Sequence, residues 1–148
     1  MTADETGPSP WARGLGFGGL VPFVGLAATL WVARPGDGPL ASMALLGYGA
    51  TIVSFLGALH WGLAMRERPS PPVTSLLWGV VPGLLGWTAL LLGQAPGLLL
   101  MAALLWACFA VDRALYPRYG LRAWLPMRLR LTLVASISCL AGAAALAH

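Results

Sequence analysis

The chain has 148 residues, of which 58% are hydrophobic and 9% charged. A soluble domain carries about 45–50% apolar and about 25% charged residues, so a soluble globular enzyme, a disordered tail and a coiled coil are excluded. Nine arginines, no lysine and five acids give a net charge of +4. Only two short stretches are polar enough to lie on nucleic acid, which excludes a DNA- or RNA-binding protein. The composition is that of a membrane protein.

Five stretches are long enough to cross a bilayer, which takes about 20 apolar residues at 1.5 Å of helical rise each. Gly14 to Ala33 carries no charge, and Leu40 to Met65 holds one ionisable side chain, His60. Thr74 to Gly93 is uncharged, Ala95 to Val111 is shorter and runs into Asp112 and Arg113, and Leu129 to Ala147 has Arg130 at its entrance. Residues 1–13 read as a short polar tail and 14–148 as a single domain. The runs Arg34-Pro35-Gly36-Asp37-Gly38-Pro39 and Arg66-Glu67-Arg68-Pro69-Ser70-Pro71-Pro72 separate spans, because proline lacks the N–H that continues a helix. The connection around Gln94 to Gly97 predicts a tight antiparallel hairpin, and that from Asp112 to Arg128 is the only one large enough to have shape of its own. Strand-like alternation over ten residues is absent, so of the two architectures that satisfy every backbone group in lipid the barrel is excluded. The expected fold is all-α, a polytopic membrane bundle of five transmembrane helices.

Arginine placement predicts orientation. Arg13, Arg66, Arg68, Arg113, Arg118, Arg122, Arg128 and Arg130 share one side, and Arg34 with Asp37 lies on the other. Eight against one is a strong positive-inside bias, which places the N-terminus in and the C-terminus out. The leader, with Asp4, Glu5 and Arg13, is a poor signal-peptide n-region, and the apolar run exceeds the about 7–15 residues of a signal core. The first span is therefore expected to be retained. An acid-free amphipathic presequence is also missing, which favours a bacterial inner (plasma) membrane over the mitochondrial inner membrane.

Helices in lipid associate through close contact of small residues. Ala50, Ser54, Ala58 and Gly62 recur at four-residue spacing as a helix-packing groove, and Gly79, Gly83 and Gly86 flank Pro82, a kink position, in the third span. The first span opens with Gly14, Gly16, Gly18 and Gly19, followed by Pro22. Trp11, Trp61, Trp78 and Trp124 fall near the arginine-rich face and Trp31 and Trp87 toward the other, as interfacial anchors do.

Candidate chemistry concentrates at the arginine-rich end. His60 is an intramembrane ionisable group, a kind that is rare, faces the bundle interior and often marks function. Asp112, Arg128 and Arg130 reach the same side, and with His60, Trp61 and Glu67 they form a candidate polar site. Two roles stay open for it: a proton-responsive or headgroup-binding site, or a neutral histidine bonded to a neighbouring helix with Asp112 paired to an arginine. A second candidate is the fourth connection, where Arg113, Arg118, Tyr119, Arg122 and Trp124, with Tyr116, would lie along the membrane surface and contact anionic lipid such as cardiolipin. Cys108 and Cys139 differ in depth by roughly 8 Å at 1.5 Å per residue and read as small apolar fillers. A bis-histidine haem is argued against because the other histidine, His148, lies at the opposite face. No cofactor or metal is expected, and no nucleophile elbow, HExxH or phosphate-binding loop occurs in the sequence, so a non-enzyme is expected.

Leu15-Gly16, Gly19-Leu20-Val21-Pro22-Phe23, Tyr48-Gly49-Ala50 and Ser54-Phe55-Leu56-Gly57 lead to His60-Trp61-Gly62. Together with Trp78 and Pro82, Asp112, and Arg128-Leu129-Arg130-Leu131-Thr132, this pattern resembles domain-of-unknown-function family 3429, the transmembrane protein 69-like family. The stretch Trp124-Leu125-Pro126 departs from the Trp-Tyr pair of the family. The resemblance implies a small inner-membrane protein without an established activity, and it gives weight to His60, Trp61 and Asp112.

Three functions are compatible with these features. The first is an accessory or assembly factor of a larger membrane complex, such as a respiratory one, with other membrane proteins as partners. The second is a proton-coupled carrier acting as a homo-oligomer through His60 and Asp112, and the third is a lipid- or quinone-binding module. The charge bias makes one outcome checkable at once: a reporter fused after His148 should be active outside the cytoplasm, and activity confined to the cytoplasm would overturn the orientation.

Overall fold

A computed structural model describes residues 7–32, 36–66 and 72–148. Asp4, Glu5, Arg34, Glu67 and Arg68, which enter the charge argument above, lie outside the described residues. The described chain is helical throughout, with no strand. Helices α1 (Pro10–Gly18) and α2 (Val21–Val32) form the first span, followed by α3 (Gly38–Ala64), α4 (Val73–Leu92), α5 (Gln94–Leu115) and α6 (Leu125–Ala145). Five helical spans are long and apolar enough to cross a membrane: Pro10–Val32, Gly38–Ala64, Val73–Leu92, Gln94–Tyr119 and Arg122–Ala145.

The first span starts earlier than its hydropathy suggests and is broken. Ser9 caps α1 by accepting from the Ala12 N–H at 3.2 Å, with Pro10 in the first turn, an arrangement that satisfies one otherwise orphaned donor. The break falls at Gly19–Leu20 because Pro22 offers no N–H to the Gly18 carbonyl four residues earlier. The Tyr48 hydroxyl on α3 donates to the Gly19 carbonyl at 2.8 Å and fixes the break against the bundle.

The fourth connection is smaller than expected. Helix α5 runs through Asp112 to Leu115, and α6 already starts at Leu125, so Arg128 and Arg130 lie inside a helix rather than at its entrance. Charge does not end these helices because Asp112 and Arg128 are paired inside the bundle. Between them Tyr116–Tyr119 and Arg122–Trp124 form two short 3₁₀ turns, reversed at Gly120, whose φ of +70° suits a residue without a Cβ. The α4–α5 hairpin is as tight as its sequence suggests, turning at Gly93 (φ +63°).

Helices α2, α3, α5 and α6 pack in a ring, and α4 lies outside in the seam of α3 and α5. The core between them is built from Phe23, Leu45, Val53, Leu98, Met101 and Leu105. Small residues set the α3–α4 seam: Gly86 meets Ala50 and Val53, and Gly83 meets the Ser54 hydroxyl. The four-residue ladder is then corrected. Ala58 and Gly62 are exposed, and nothing lies within 4 Å of a Cβ at Gly62. A strict four-residue repeat drifts about 40° per step around a helix of 3.6 residues per turn, so by Gly62 it has rotated about 120° off the seam. Gly57 continues the contact instead; a Cβ there would stand 2.6 Å from the Gly79 carbonyl oxygen, while Gly79 lies beneath the Trp61 indole. Pro82 sits buried within α4, which continues through it. Gly57→Ala is accordingly expected to cost about 1–3 kcal/mol of overpacking strain and to lower the unfolding temperature in detergent, whereas Gly62→Ala should leave it unchanged or raise it.

Candidate functional site

Three helices each deliver one polar side chain to a single point in the apolar interior. His60 sits near the end of α3, Asp112 in the last turns of α5 and Arg128 in the first turn of α6. The His60 Nε2 and Asp112 Oδ1 atoms are 2.9 Å apart, and Arg128 Nε donates to Asp112 Oδ2 at 2.7 Å. Arg128 Nη2 is 2.6 Å from the same oxygen and adds a second contact to the ion pair. His60 and Asp112 are each 1% exposed and Arg128 9%. Asp112 thus uses both oxygens as acceptors. With Nε2–H as the donor, His60 Nδ1 is left as a lone acceptor, unpartnered and buried.

The ring of Tyr116 stands 6.2 Å from that of His60, and Tyr116 is buried beside Asp112 and Arg128 rather than on the surface with the rest of the connection. One helical turn beyond Arg128, Thr132 is 2% exposed and its hydroxyl has no partner. That is unusual for this chain. The hydroxyls of Thr29, Ser42, Ser54, Thr88, Ser136 and Ser138 all return to a carbonyl three or four residues earlier on their own helix, the ordinary solution for such groups in lipid. A buried hydroxyl left unpaired costs about 1–3 kcal/mol.

Arg128 and Thr132 border a cavity. Arg128, Thr132, Tyr116 and Trp124 line one end of a pocket of about 400 Å³. The rest of its wall is apolar, contributed by α1 and α2 (Leu15, Phe23), α3 (Ile52, Phe55) and α6 (Leu131) among others. Its size is within the range of about 300–1,000 Å³ found for ligand pockets, as is the pattern of an apolar lining with few polar groups.

The other candidate residues lie elsewhere. Trp61 points away from the cluster: its indole N–H donates to the Leu76 carbonyl at 2.7 Å and so ties α3 to α4. Arg130 is exposed, since two residues of helix carry a side chain about 200° from Arg128. Glu67 lies outside the described residues. Arg113, Arg118 and Arg122 are exposed, and Tyr119 and Trp124 half-buried, so the connection presents a cationic surface. Cys108 and Cys139 are free, buried thiols within the core. Sequence reasoning assigned Tyr116 to the surface and attached no role to Thr132; the four-residue step from Arg128 to Thr132, which puts both on one helix face, was the available signal.

A family model described as "Protein of unknown function (DUF3429)" matches residues 8–144. The chain is also similar to "Transmembrane protein 69" of Xenopus tropicalis, 38% identical over 143 residues that cover 93% of this chain and 55% of that protein. The chain thus spans about half the length of this curated relative. No solved structure matches.

Removing one partner of a buried ion pair leaves the other uncompensated and costs about 3–5 kcal/mol, whereas replacing both by apolar groups can be neutral. Asp112→Ala should therefore destabilise the protein by that amount in denaturant or thermal unfolding in micelles. The double variant Asp112→Leu/Arg128→Met should recover most of the loss, and equal losses in the two would show that charge burial is not the cause.

Proposed function

The chain belongs to the DUF3429 family and is a multi-pass membrane protein, and from its side chains we propose that it is a non-catalytic module that binds a membrane-soluble amphipath, a lipid or a quinone, between its helices. One observation carries this reading: the apolar pocket is bordered by the two buried polar residues Arg128 and Thr132, and the Thr132 hydroxyl has no partner among the described residues. A ligand with an apolar body and a hydrogen-bonding head supplies what both parts lack. The exposed arginines of the α5–α6 connection add a surface suited to anionic lipid headgroups, each worth on the order of 1 kcal/mol near a charged membrane.

A second reading, an accessory or assembly factor of a larger membrane complex, is favoured by a different feature. Gly47, Thr51, Ser54, Gly83 and Trp87 border a shallow groove of about 400 Å³ on the outer face of α3 and α4. Small residues at such a face allow the close approach of another transmembrane helix. A place in the inner membrane of a bacterium, beside an energy-transducing complex, fits both readings.

Purification of the tagged full chain in mild detergent, with mass spectrometry of retained proteins and lipids, separates them. Stoichiometric recovery of a lipophile is the expected result; stoichiometric recovery of a protein complex without one would favour the accessory role instead. Neutralising Arg118 and Arg122 together should reduce the anionic lipid retained, and an unchanged lipid profile would remove the connection from the binding surface.

A further inference from the structure

Helix α1 forms one wall of the apolar pocket, through Ala12, Leu15 and Gly16, yet little fastens it there. It has no buried residue, whereas the 12-residue α2 buries Phe23, Ala27 and Leu30. Apolar contact between helices gains little in lipid, so a helix is held by close approach or by hydrogen bonds. Helix α4, also at the periphery, has both: the glycine seam with α3 and the Trp61 bond. Helix α1 is held by much less. Gly14 and Gly18 have nothing within 4 Å of a Cβ, and Gly16 meets the flexible thioether end of Met127 and a Leu131 methyl rather than a backbone. Among the described residues, the side-chain hydrogen bond at α1 is the Ser9 cap, which stays within the helix.

The break at the end of α1 is built as a pivot. On one side, the Gly19 N–H donates to the Leu15 carbonyl and the Leu20 N–H to the Phe17 carbonyl, both at 3.0 Å. On the other, α2 opens its own ladder with the Val24 N–H on the Leu20 carbonyl, also at 3.0 Å. Rotation about the two backbone dihedrals of Leu20 breaks none of these bonds, because each lies wholly on one side of its Cα. The Tyr48 hydroxyl holds the neighbouring Gly19 carbonyl, which fixes the pivot and leaves the arm free. We propose that α1 is a hinged flap: it swings as a rigid rod about Leu20, with the Tyr48 bond as hinge pin, and opens the side of the pocket to the bilayer. A few residues at an element's end that absorb a change in backbone dihedrals are what a hinge requires. The flap governs access to the pocket and is independent of what fills it.

The test measures two distances in the full chain, in phosphatidylcholine nanodiscs, by double electron–electron resonance between spin labels. Labels go on Trp11→Cys in α1 and Val24→Cys in α2, each paired with Val73→Cys in α4. These positions are 82%, 50% and 67% exposed, and the native thiols of Cys108 and Cys139 are buried and stay in place. Trp11 lies nine residues from Leu20, an arm of about 14 Å, so a swing of about 30° moves its label by about 7 Å. Gly16→Leu sets a bulky side chain against Met127 and should prop the flap open. Met127→Ala removes the same contact from the other side without adding bulk and should broaden or shift the same distance. The expected result is a change of several Å in Trp11–Val73 with Val24–Val73 unchanged. An unchanged Trp11–Val73 distance in both variants would overturn the flap and leave the pocket a fixed groove. A shift of Val24–Val73 as large as that of Trp11–Val73 would overturn it too, because the first span would then move as one rod.

Discussion

A carboxylate held inside an apolar bundle is the constraint around which this molecule is arranged. Asp112 is 1% exposed, and moving such a group out of water costs several kcal/mol unless partners offset it. Its partners come from α3 and α6 while it sits on α5, so one residue fixes the depth and rotation of three helices at once. A slip of α6 by one residue would turn Arg128 about 100° away and leave the carboxylate with His60 alone. Apolar packing tolerates such slips far better, because neighbouring leucines are interchangeable. The ion cluster therefore supplies register more than it supplies stability.

The remaining contacts follow a different logic. Lipid is as apolar as leucine, so burying apolar surface drives helices together only weakly, and close approach matters more. The seam of α3 with α4 shows this: Gly57, Gly79, Gly83 and Gly86 bring backbones near each other, and Trp61 closes the end by bonding the Leu76 carbonyl. Helix α4 carries no member of the ion cluster and is held by close packing together with the Trp61 hydrogen bond. The two modes divide the bundle into a charged pin near one end and a small-residue seam along one side.

How much of this was legible in the sequence depended on the scale of the feature. Five spans follow from run lengths, and the three residues that meet in the interior were all marked by being ionisable within or beside apolar runs. What residue type alone could not decide was direction. His60 and Trp61 are adjacent in sequence, yet their side chains leave the helix about 100° apart, one toward Asp112 and the other toward α4. Arg128 and Arg130 diverge for the same reason. Treating charges as span boundaries shortened α5 and α6, since a charge stops a membrane helix only while it is unpaired. The pocket was beyond reach, because its wall comes from several elements and its polar end depends on which hydroxyl fails to find a carbonyl.

The broken first span has a consequence for how that pocket can be reached. Helix α1 supplies part of the wall but contributes no buried residue of its own, and the break at Gly19 separates it from α2, where Phe23, Ala27 and Leu30 are committed to the interior. Swinging α1 outward thus disturbs neither the ion cluster nor the glycine seam. Local opening and global unfolding are separate events in free energy, and a helix without a buried residue of its own is placed to move while the frame of α2, α3, α5 and α6 stands still.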